Sequence, residues 1–290
     1  MLLLLHLYYL EIVSLYVCLT ILFMSKTPAV IVPLYKTKLN HLEDLSLKQC
    51  FKHLSQHKII AVKPECLSLE NYDYKFNEVI SFDDEFFSNI AGYNRLMLSP
   101  VFYEKFLSYN YILIYQTDAF VFRDELLYWC KQGYDYIGAP WLRYDKYTDI
   151  IKAIKNTTLI YLHIKKNSKQ PGSYLPTNRQ FENRVGNGGF SLRNPKKFHQ
   201  ICIEEKELID FYNTKSEHYF NEDTFWGIEV NRKRKRLNIP GYKKAIYFSL
   251  ENSLPHAVKI MGDKLPFGCH AWDMHIDFWR PIFAEIDVII

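Results

Sequence analysis

The stretch Ala29-Val-Ile-Val-Pro-Leu-Tyr35 is a short apolar run, rich in β-branched residues and without polar alternation. Such a run is typical of a strand that is buried on both faces of a parallel sheet. Residues 42–57 then carry apolar side chains at helical spacing, and Lys58-Ile-Ile-Ala-Val62 has the composition of a second strand. A strand, a helix and a strand within about 35 residues form a βαβ unit, which predicts an α/β fold.

The rest of the chain continues this alternation of strands and helices. Further strands are predicted at 76–82, 111–115, 134–138 and 190–192, and helices at 83–90, 99–109 and 124–132. Ser99 is a good N-cap, and Pro100 suits a first helical turn. Residues 143–184 are less regular and become rich in Asn, Ser, Pro and Gly, which indicates an insertion with a mobile loop. We therefore expect one domain over residues 29–285.

The overall composition is that of a globular protein. Of the 290 residues, 48% are hydrophobic and 23% are charged, which excludes a disordered chain. The net charge of +4 is too small to indicate nucleic-acid binding, so no nucleic-acid partner is expected. The six cysteines show no CxxC spacing. This pattern predicts neither a zinc cluster nor a disulfide framework, and it favours a reducing, cytoplasmic location.

Residues 1–23 form an apolar segment that is nearly long enough to span a bilayer. One interpretation is an N-terminal signal anchor. The other is a start codon assigned too early, with Met24 as the true start. No Lys or Arg precedes the apolar run and Glu11 lies in its middle, which favours the second interpretation.

Two segments contain candidate ligands for a metal ion. Asp118 follows the strand predicted at 111–115, and ligands of open α/β sheets bind beyond the carboxyl ends of strands. A carboxylate there can hold a divalent cation that bridges the phosphates of a nucleotide. His270, in Pro266-Phe-Gly-Cys-His-Ala-Trp272, can supply a neutral nitrogen ligand. The alternatives are an Asp that caps the next turn and a structural His among aromatic residues.

Two other segments contain candidate substrate contacts. Gly186-Asn-Gly-Gly189 allows the backbone to approach a ligand and to adopt positive φ, although Asn-Gly also suits a tight hairpin turn. Asn221-Glu-Asp-Thr-Phe-Trp226 places adjacent acids at the positive end of a predicted helix. One carboxylate there can act as a general base, and Trp226 can offer an apolar face to a sugar. The alternative is an ordinary helix start followed by core aromatics.

In this order, the four segments resemble the signature of GT-A glycosyltransferases. The stretches 111–122, 134–141, 185–193 and 266–272 also look like one uncharacterised bacterial family assigned to that superfamily. The resemblance covers roughly residues 29–279. It implies a GT-A-like, Rossmann-like central mixed sheet flanked by helices, within the α/β class.

Carried over to this sequence, the resemblance also implies a role for each site residue. Asp118 and His270 would ligate Mn²⁺ or Mg²⁺, Asp223 would be the general base, and Glu222 would orient it or bind the acceptor. The remaining expected contacts are with the donor at Val32, Pro33, Arg95, Asp118, Gly186, Asn187, Gly188 and Gly189, and with the acceptor at Trp226 and Trp272. The usual metal motif has two acids, whereas Gln116 and Thr117 precede a single Asp118 here.

The expected activity is transfer of a hexose from a nucleoside-diphosphate sugar, with a UDP-sugar favoured, to a glycan or lipid-linked acceptor. The transfer would be inverting and metal-assisted, and it would serve surface polysaccharide assembly. Five consecutive cations at Arg232–Arg236 are either a solvated helix face or a site that attracts anionic lipid at the inner face of the membrane.

Two alternative functions remain at this point. A non-catalytic carbohydrate-binding protein could share this fold. A nucleotidyltransferase would carry a Gly-rich phosphate loop after the first strand, but Pro33-Leu-Tyr-Lys36 follows it here.

Overall fold

The computed structural model describes residues 27–143, 149–262 and 264–290. The predicted N-terminal apolar segment at 1–23 lies outside these residues. Within the described part of the chain, no helix is both long enough and apolar enough to cross a membrane.

The strands form a six-stranded mixed sheet and a small three-stranded sheet. Their bounds are β1 Ala29–Pro33, β2 Lys58–Pro64, β3 Glu78–Phe82, β4 Ile112–Tyr115, β5 Phe120–Val121, β6 Tyr136–Trp141, β7 Arg184–Arg193, β8 Ser249–Leu250 and β9 Gly268–Cys269. The large sheet has the order β3-β2-β1-β4-β7-β6, and the small sheet has the order β5-β9-β8. Strands β3, β2, β1 and β4 are parallel, whereas β7 is antiparallel to both β4 and β6.

Helices flank the large sheet and connect its strands. Their bounds are α1 His41–Leu54, α2 Ile90–Met97, α3 Pro100–Glu104, α4 Leu126–Lys131, α5 Ile150–Lys165, α6 Pro195–Glu204, α7 Lys206–Asn213, α8 Glu222–Gly227, α9 Tyr242–Ala245, α10 Leu254–Met261 and α11 Ile276–Ala284. Short 3₁₀ helices lie at Asp84–Phe87, Asn178–Gln180, His218–Phe220, Glu229–Asn231 and Trp272–His275. The predicted α/β class, with a central mixed sheet flanked by helices, is confirmed.

Strand β1 lies in the middle of the large sheet and is buried on both faces, as its composition predicts. Val30 and Val32 pack towards Leu47 of α1, whereas Ala29 and Ile31 pack into the core that contains Phe102 of α3. None of the β1 side chains has measurable exposure from Ala29 to Val32. Burial of each valine or isoleucine contributes about 1.5–3 kcal/mol, so this strand anchors both layers of helices.

Local signals explain where two helices begin. The Asn40 side chain accepts hydrogen bonds from the backbone N–H groups of Leu42 and Glu43, and Glu43 accepts from the Asn40 N–H in return. This capping box starts α1. Ser99 caps α3 with Pro100 in its first turn, as predicted, although this helix ends at Glu104 rather than near residue 109. The predicted helix at 83–90 is instead a single 3₁₀ turn.

The Gly-rich segment differs from both sequence-based interpretations. Gly186 to Gly189 lie inside the continuous strand β7 rather than in a hairpin turn. Among the described glycines, only Gly133, Gly172 and Gly262 have positive φ. The conformational freedom of these site glycines is therefore not used, and their small size must explain their presence.

Candidate active site

A cavity of about 520 Å³ opens at the carboxyl ends of β1 and β4. The order of the sheet reverses at this point, because β1 is followed in sequence by β2 on one side and later joined by β4 on the other. Such a switch point is where open α/β sheets bind ligands. The cavity is lined by Pro33, Tyr35, Phe87, Ser88, Asn89, Ile90, Tyr93, Asn94, Gln116, Thr117, Asp118, Asn187, Gly188, Gly189, Asn221, Glu222, Asp223 and His270.

Asp118 and His270 meet at one side of this cavity. Asp118 Oδ1 lies 3.1 Å from His270 Nε2, and Gln116 Oε1 lies 3.0 Å from the same nitrogen. Glu251 Oε1 is 3.9 Å from the other ring nitrogen, Nδ1. Burial lowers the pKa of His270, but the Asp118 and Glu251 carboxylates outweigh it and raise that pKa to about 10. Burial raises the pKa of Asp118, and the attraction of His270 outweighs it, so the pKa of Asp118 is lowered.

The same two side chains are suited to a divalent cation. Neighbouring ligands of an octahedral Mg²⁺ are about 3 Å apart, because each lies about 2.1 Å from the ion, and Asp118 Oδ1 and His270 Nε2 are 3.1 Å apart. The described residues contain no group of three or more His, Cys, Asp or Glu that could hold a metal ion. Asp118 and His270 would supply two ligands only after the His270 ring has lost its proton, and metal binding stays a prediction.

Two adjacent glycines of β7 bring the halves of the site together. A Cβ atom on Gly189 would lie 1.9 Å from His270 Nε2, and one on Gly188 would lie 2.1 Å from Glu222 Oε1. Both distances are far below a van der Waals contact. Glycine is required at each position because a side chain would occupy the space of a site residue.

Glu222 is held from below by a buried arginine. Arg193 is fully buried and its Nη2 lies 3.1 Å from Glu222 Oε1. Arg193 also donates to Tyr103 Oη, Ser191 Oγ and the Gly188 carbonyl. Burial lowers the pKa of Arg193, but the Glu222 carboxylate outweighs it and keeps this guanidinium charged. The second carboxylate oxygen of Glu222 is buried without a hydrogen-bond partner among the described residues.

Asp223 follows Glu222 at the start of α8 and lines the same cavity. Burial, followed by the negative charges of Glu222 and Glu251, raises the pKa of Asp223 to about 7. Its Oδ1 accepts a hydrogen bond from the Thr224 N–H at 2.7 Å. A carboxylate whose pKa is near neutral is well matched to proton transfer at physiological pH.

The structure brings most of the predicted site residues to the cavity. Those that line it are Pro33, Asp118, Asn187, Gly188, Gly189, Glu222, Asp223 and His270. Val32 is buried beneath it in the core, and Gly186 is covered by the Trp141 ring, which a Cβ on Gly186 would overlap.

Three other predicted contacts lie elsewhere. Trp226 is fully buried, packs on Phe198 at 4.1 Å between ring centroids and donates to the Met97 carbonyl. It cannot offer a face to an acceptor, so that prediction needs correction. Trp272 is also buried and borders a smaller pocket of about 180 Å³ beside Asp118. Arg95 lies 3.9 Å from Glu85 in a separate groove.

The basic run at 232–236 needs a similar correction. It follows the 3₁₀ helix Glu229–Asn231 and does not form a helix face. Arg232 is buried, with its guanidinium hydrogen-bonded to Glu229 and Gln180, and Arg236 pairs with Glu204 and Glu205. Only the middle of the run, Lys233 to Lys235, is exposed.

Sequence reasoning missed several residues of the site. Arg193 ends the stretch 185–193, and no local pattern predicts that its side chain contacts Glu222. Asn94 and Asn221 bond to each other at 3.0 Å, and Asn94 also accepts from the Glu222 N–H. Glu251 approaches His270 from the small sheet. Asn94 and Asn221 are 127 positions apart, and no local pattern links them or links Glu251 to His270.

Comparisons with known proteins identify a family and include a distant structural likeness. A crystal structure of the apo-form glycosyltransferase GlyE from Streptococcus pneumoniae TIGR4 matches with a TM-score of 0.46 and 13% sequence identity. The match covers 84% of this chain and 54% of that one, so the chain spans about half the length of GlyE. No curated protein matches the sequence. A family model described as Protein of unknown function (DUF5672) matches residues 76–270, which is more than half of the chain and spans the cavity-lining motifs from Asp118 to His270, and the protein therefore belongs to this family.

Proposed function

We propose that this protein is a glycosyltransferase that moves a hexose from a nucleoside-diphosphate sugar to an acceptor hydroxyl. The observation that supports this proposal is the joining of two functional pairs in one cavity. Asp118 with His270 and Glu222 with Asp223 meet across Gly188 and Gly189. Such a reaction must stabilise the negative charge of the diphosphate leaving group and remove the proton of the acceptor hydroxyl.

Each pair suits one end of that reaction. Asp118 and His270 would hold Mn²⁺ or Mg²⁺, which supplies positive charge to the diphosphate as the sugar leaves. Asp223 would take the proton from the acceptor hydroxyl, because the pKa of this carboxyl is raised to about 7. Glu222, oriented by Arg193, would bind an acceptor hydroxyl through its free oxygen. With the base and the leaving group at different pairs, we propose a single displacement with inversion.

The donor would lie along the end of β1. Pro33 and Tyr35 line this part of the cavity, and Tyr35 is 54% exposed, so its ring is available to stack on a nucleobase or sugar. A UDP-sugar is the favoured donor and a glycan or lipid-linked molecule the favoured acceptor. Assembly of surface polysaccharide at the inner face of the membrane is the corresponding role.

The first test is thermal unfolding of the full chain with nucleoside diphosphates and their sugars, each with and without Mn²⁺. A ligand that binds the native state raises the midpoint of thermal unfolding by mass action. At a ligand concentration of one hundred times Kd, the expected stabilisation is about 2.7 kcal/mol. We expect a Mn²⁺-dependent rise that Asp118→Ala removes. The control Asp73→Ala, at an exposed acid on another surface, should keep the rise. A folded protein that shifts with none of these ligands would contradict the proposal.

A further inference from the structure

Helix α5 presents an apolar face that the rest of the described structure leaves open to solvent. Ile150, Ile151 and Ile154 are 76%, 71% and 62% exposed, and Tyr161 and Leu162 are exposed as well. At 100° per residue these five side chains fall on one side of the helix. The opposite side contacts the protein through the buried residues Asn156 and Ile160. An exposed apolar face of this kind on a folded protein marks a site of interaction with another protein or a membrane.

The charged residues within α5 and in the loop that follows it are cations. Residues 150–181 contain six cations and no acid. The cations are Lys152, Lys155, Lys165, Lys166, Lys169 and Arg179. Lys152, Lys155 and Lys166 are exposed on α5 itself or directly after it. The nearest acids in sequence are Asp149, which caps the start of α5, and Glu182, which pairs with Arg143, so the net positive charge of residues 150–181 favours an anionic surface.

The basic run adjoins the same helix. Lys165 donates to the Arg232 carbonyl at 2.7 Å, and the Arg232 guanidinium donates to the Ile164 carbonyl. These contacts hold the start of the run against the C-terminal end of α5. The exposed cations Lys233, Arg234 and Lys235 follow immediately. The exposed cations therefore adjoin the C-terminal end of α5.

We propose that this region, the outer face of α5 with residues 233–235, binds the surface of an anionic lipid bilayer. The isoleucines would insert at the boundary between head groups and acyl chains, and the flanking lysines would contact the acidic head groups. The helix would lie in the plane of the membrane with its inner side still packed on the protein.

This placement has a consequence that rests on the proposed function. α5 packs against the 3₁₀ helix Asn178–Gln180, and Asn178 accepts a hydrogen bond from Tyr219 Oη at 2.7 Å. Tyr219 lies just before Asn221, Glu222 and Asp223 in the chain. The membrane-facing helix is thus connected to the acidic side of the cavity, where a lipid-linked acceptor would enter.

The test measures hydrogen exchange of the full chain with two kinds of vesicle, phosphatidylcholine alone and phosphatidylcholine mixed with phosphatidylglycerol. We expect the backbone amides of α5 to exchange more slowly with the mixed vesicles only. Because the readout is local to α5, vesicle binding through residues 1–23 does not produce this signal.

Two variants should remove the protection of α5. Ile150→Ser/Ile151→Ser/Ile154→Ser removes the apolar contact, and Lys152→Glu/Lys155→Glu should weaken α5 binding more than about tenfold, from roughly 1 kcal/mol for each cation near the surface. The matched controls are Val101→Ser/Ile203→Ser and Lys196→Glu/Lys197→Glu, which alter exposed residues on other helices. These controls should keep the protection.

Several results would overturn the inference. They are an absence of α5 protection, equal protection with neutral vesicles, and protection that needs no vesicles but rises with protein concentration, which would identify a protein contact. Asp118→Ala should leave the protection intact. Failure of the proposed transferase activity and failure of membrane binding therefore give different results.

Discussion

Two ion pairs, Arg193–Glu222 and His270–Asp118, flank the adjacent glycines of β7. They are chemically alike but differ in their exposure. In each, a carboxylate faces a cationic side chain at 3.1 Å. The Arg193 and Glu222 side chains are 0% and 6% exposed, whereas those of His270 and Asp118 are 12% and 38% exposed. Arg193 has three further acceptors within the protein. The first pair is closed by its own hydrogen bonds, and the second is open to the cavity.

Arg193 therefore positions Glu222, whereas Asp118 and His270 both line the cavity and can contact a ligand. A buried ion pair is costly to break, because removal of one partner leaves an unpaired buried charge. We therefore expect substitution of Arg193 to lower the free energy of unfolding, and substitution of Asp118 to affect ligand binding alone.

The largest effect is expected for Asp223→Asn, which tests whether the acidic side of the cavity performs chemistry. Removal of a general base should lower the rate of donor hydrolysis or transfer by about 10²–10⁴-fold. The metal-dependent rise in unfolding midpoint with the donor should remain, because Asp223 is not assigned to donor binding. Rates should be measured as release of nucleoside diphosphate. An unchanged rate would remove the base from the proposed mechanism.

The next effect is on stability and concerns the closed pair. Arg193→Met should lower the free energy of unfolding by about 3–5 kcal/mol, since Glu222 is left buried without its partner. Arg193→Met/Glu222→Gln should lose less than this single variant, because the uncompensated charge is gone. Urea unfolding measures both. A double variant as unstable as the single one would show that packing, rather than charge, dominates at this position.

A smaller loss of stability is expected at Gly189, which lies between the two ion pairs. Gly189→Ala places a Cβ at 1.9 Å from His270 Nε2, so the ring must shift, and we expect a stability loss of about 1–3 kcal/mol together with loss of the metal-dependent midpoint rise. Gly241→Ala is the matched control, because no atom lies within 4 Å of its Cβ and its φ is −71°. Similar behaviour of the two variants would contradict the steric argument.

The last expected effect is a change of stability with pH. The pKa of Asp223 is about 7 in the folded state, above its ordinary value of 3.8, so the folded state binds more protons between these values. The free energy of unfolding therefore falls as pH rises through this window. Asp223→Asn removes this loss and should gain stability relative to the unaltered protein by up to about 4 kcal/mol from pH 4 to pH 8. Urea unfolding of both proteins across this range measures the effect. A difference in the free energy of unfolding that does not change with pH would contradict the prediction.

Local sequence predicted much of the fold and part of the site. Helix α1 begins at its capping box, and β1 and β4 lie where β-branched runs predicted them. Asp118, the Gly188–Gly189 pair, Asp223 and His270 all reach one cavity, as their motif order suggested. Their roles in donor, acceptor and metal binding remain predictions. Trp226 shows the limit of this reasoning, because a tryptophan beside a site motif has the same local signature whether it faces a cavity or the core.

By itself, the sequence determined several strands and helices, among them β1, β4 and α1, since periodicity, caps and β-branching act over a few residues. Only the tertiary structure decided that Gln116, which follows β4, lies beside Gly189 of β7, joined by a backbone hydrogen bond of 2.9 Å. It also decided that Arg193 turns beneath Glu222 and that Glu251 approaches His270. These contacts join residues 19–73 positions apart, and their geometry depends on sheet order and side-chain packing, which no local pattern encodes.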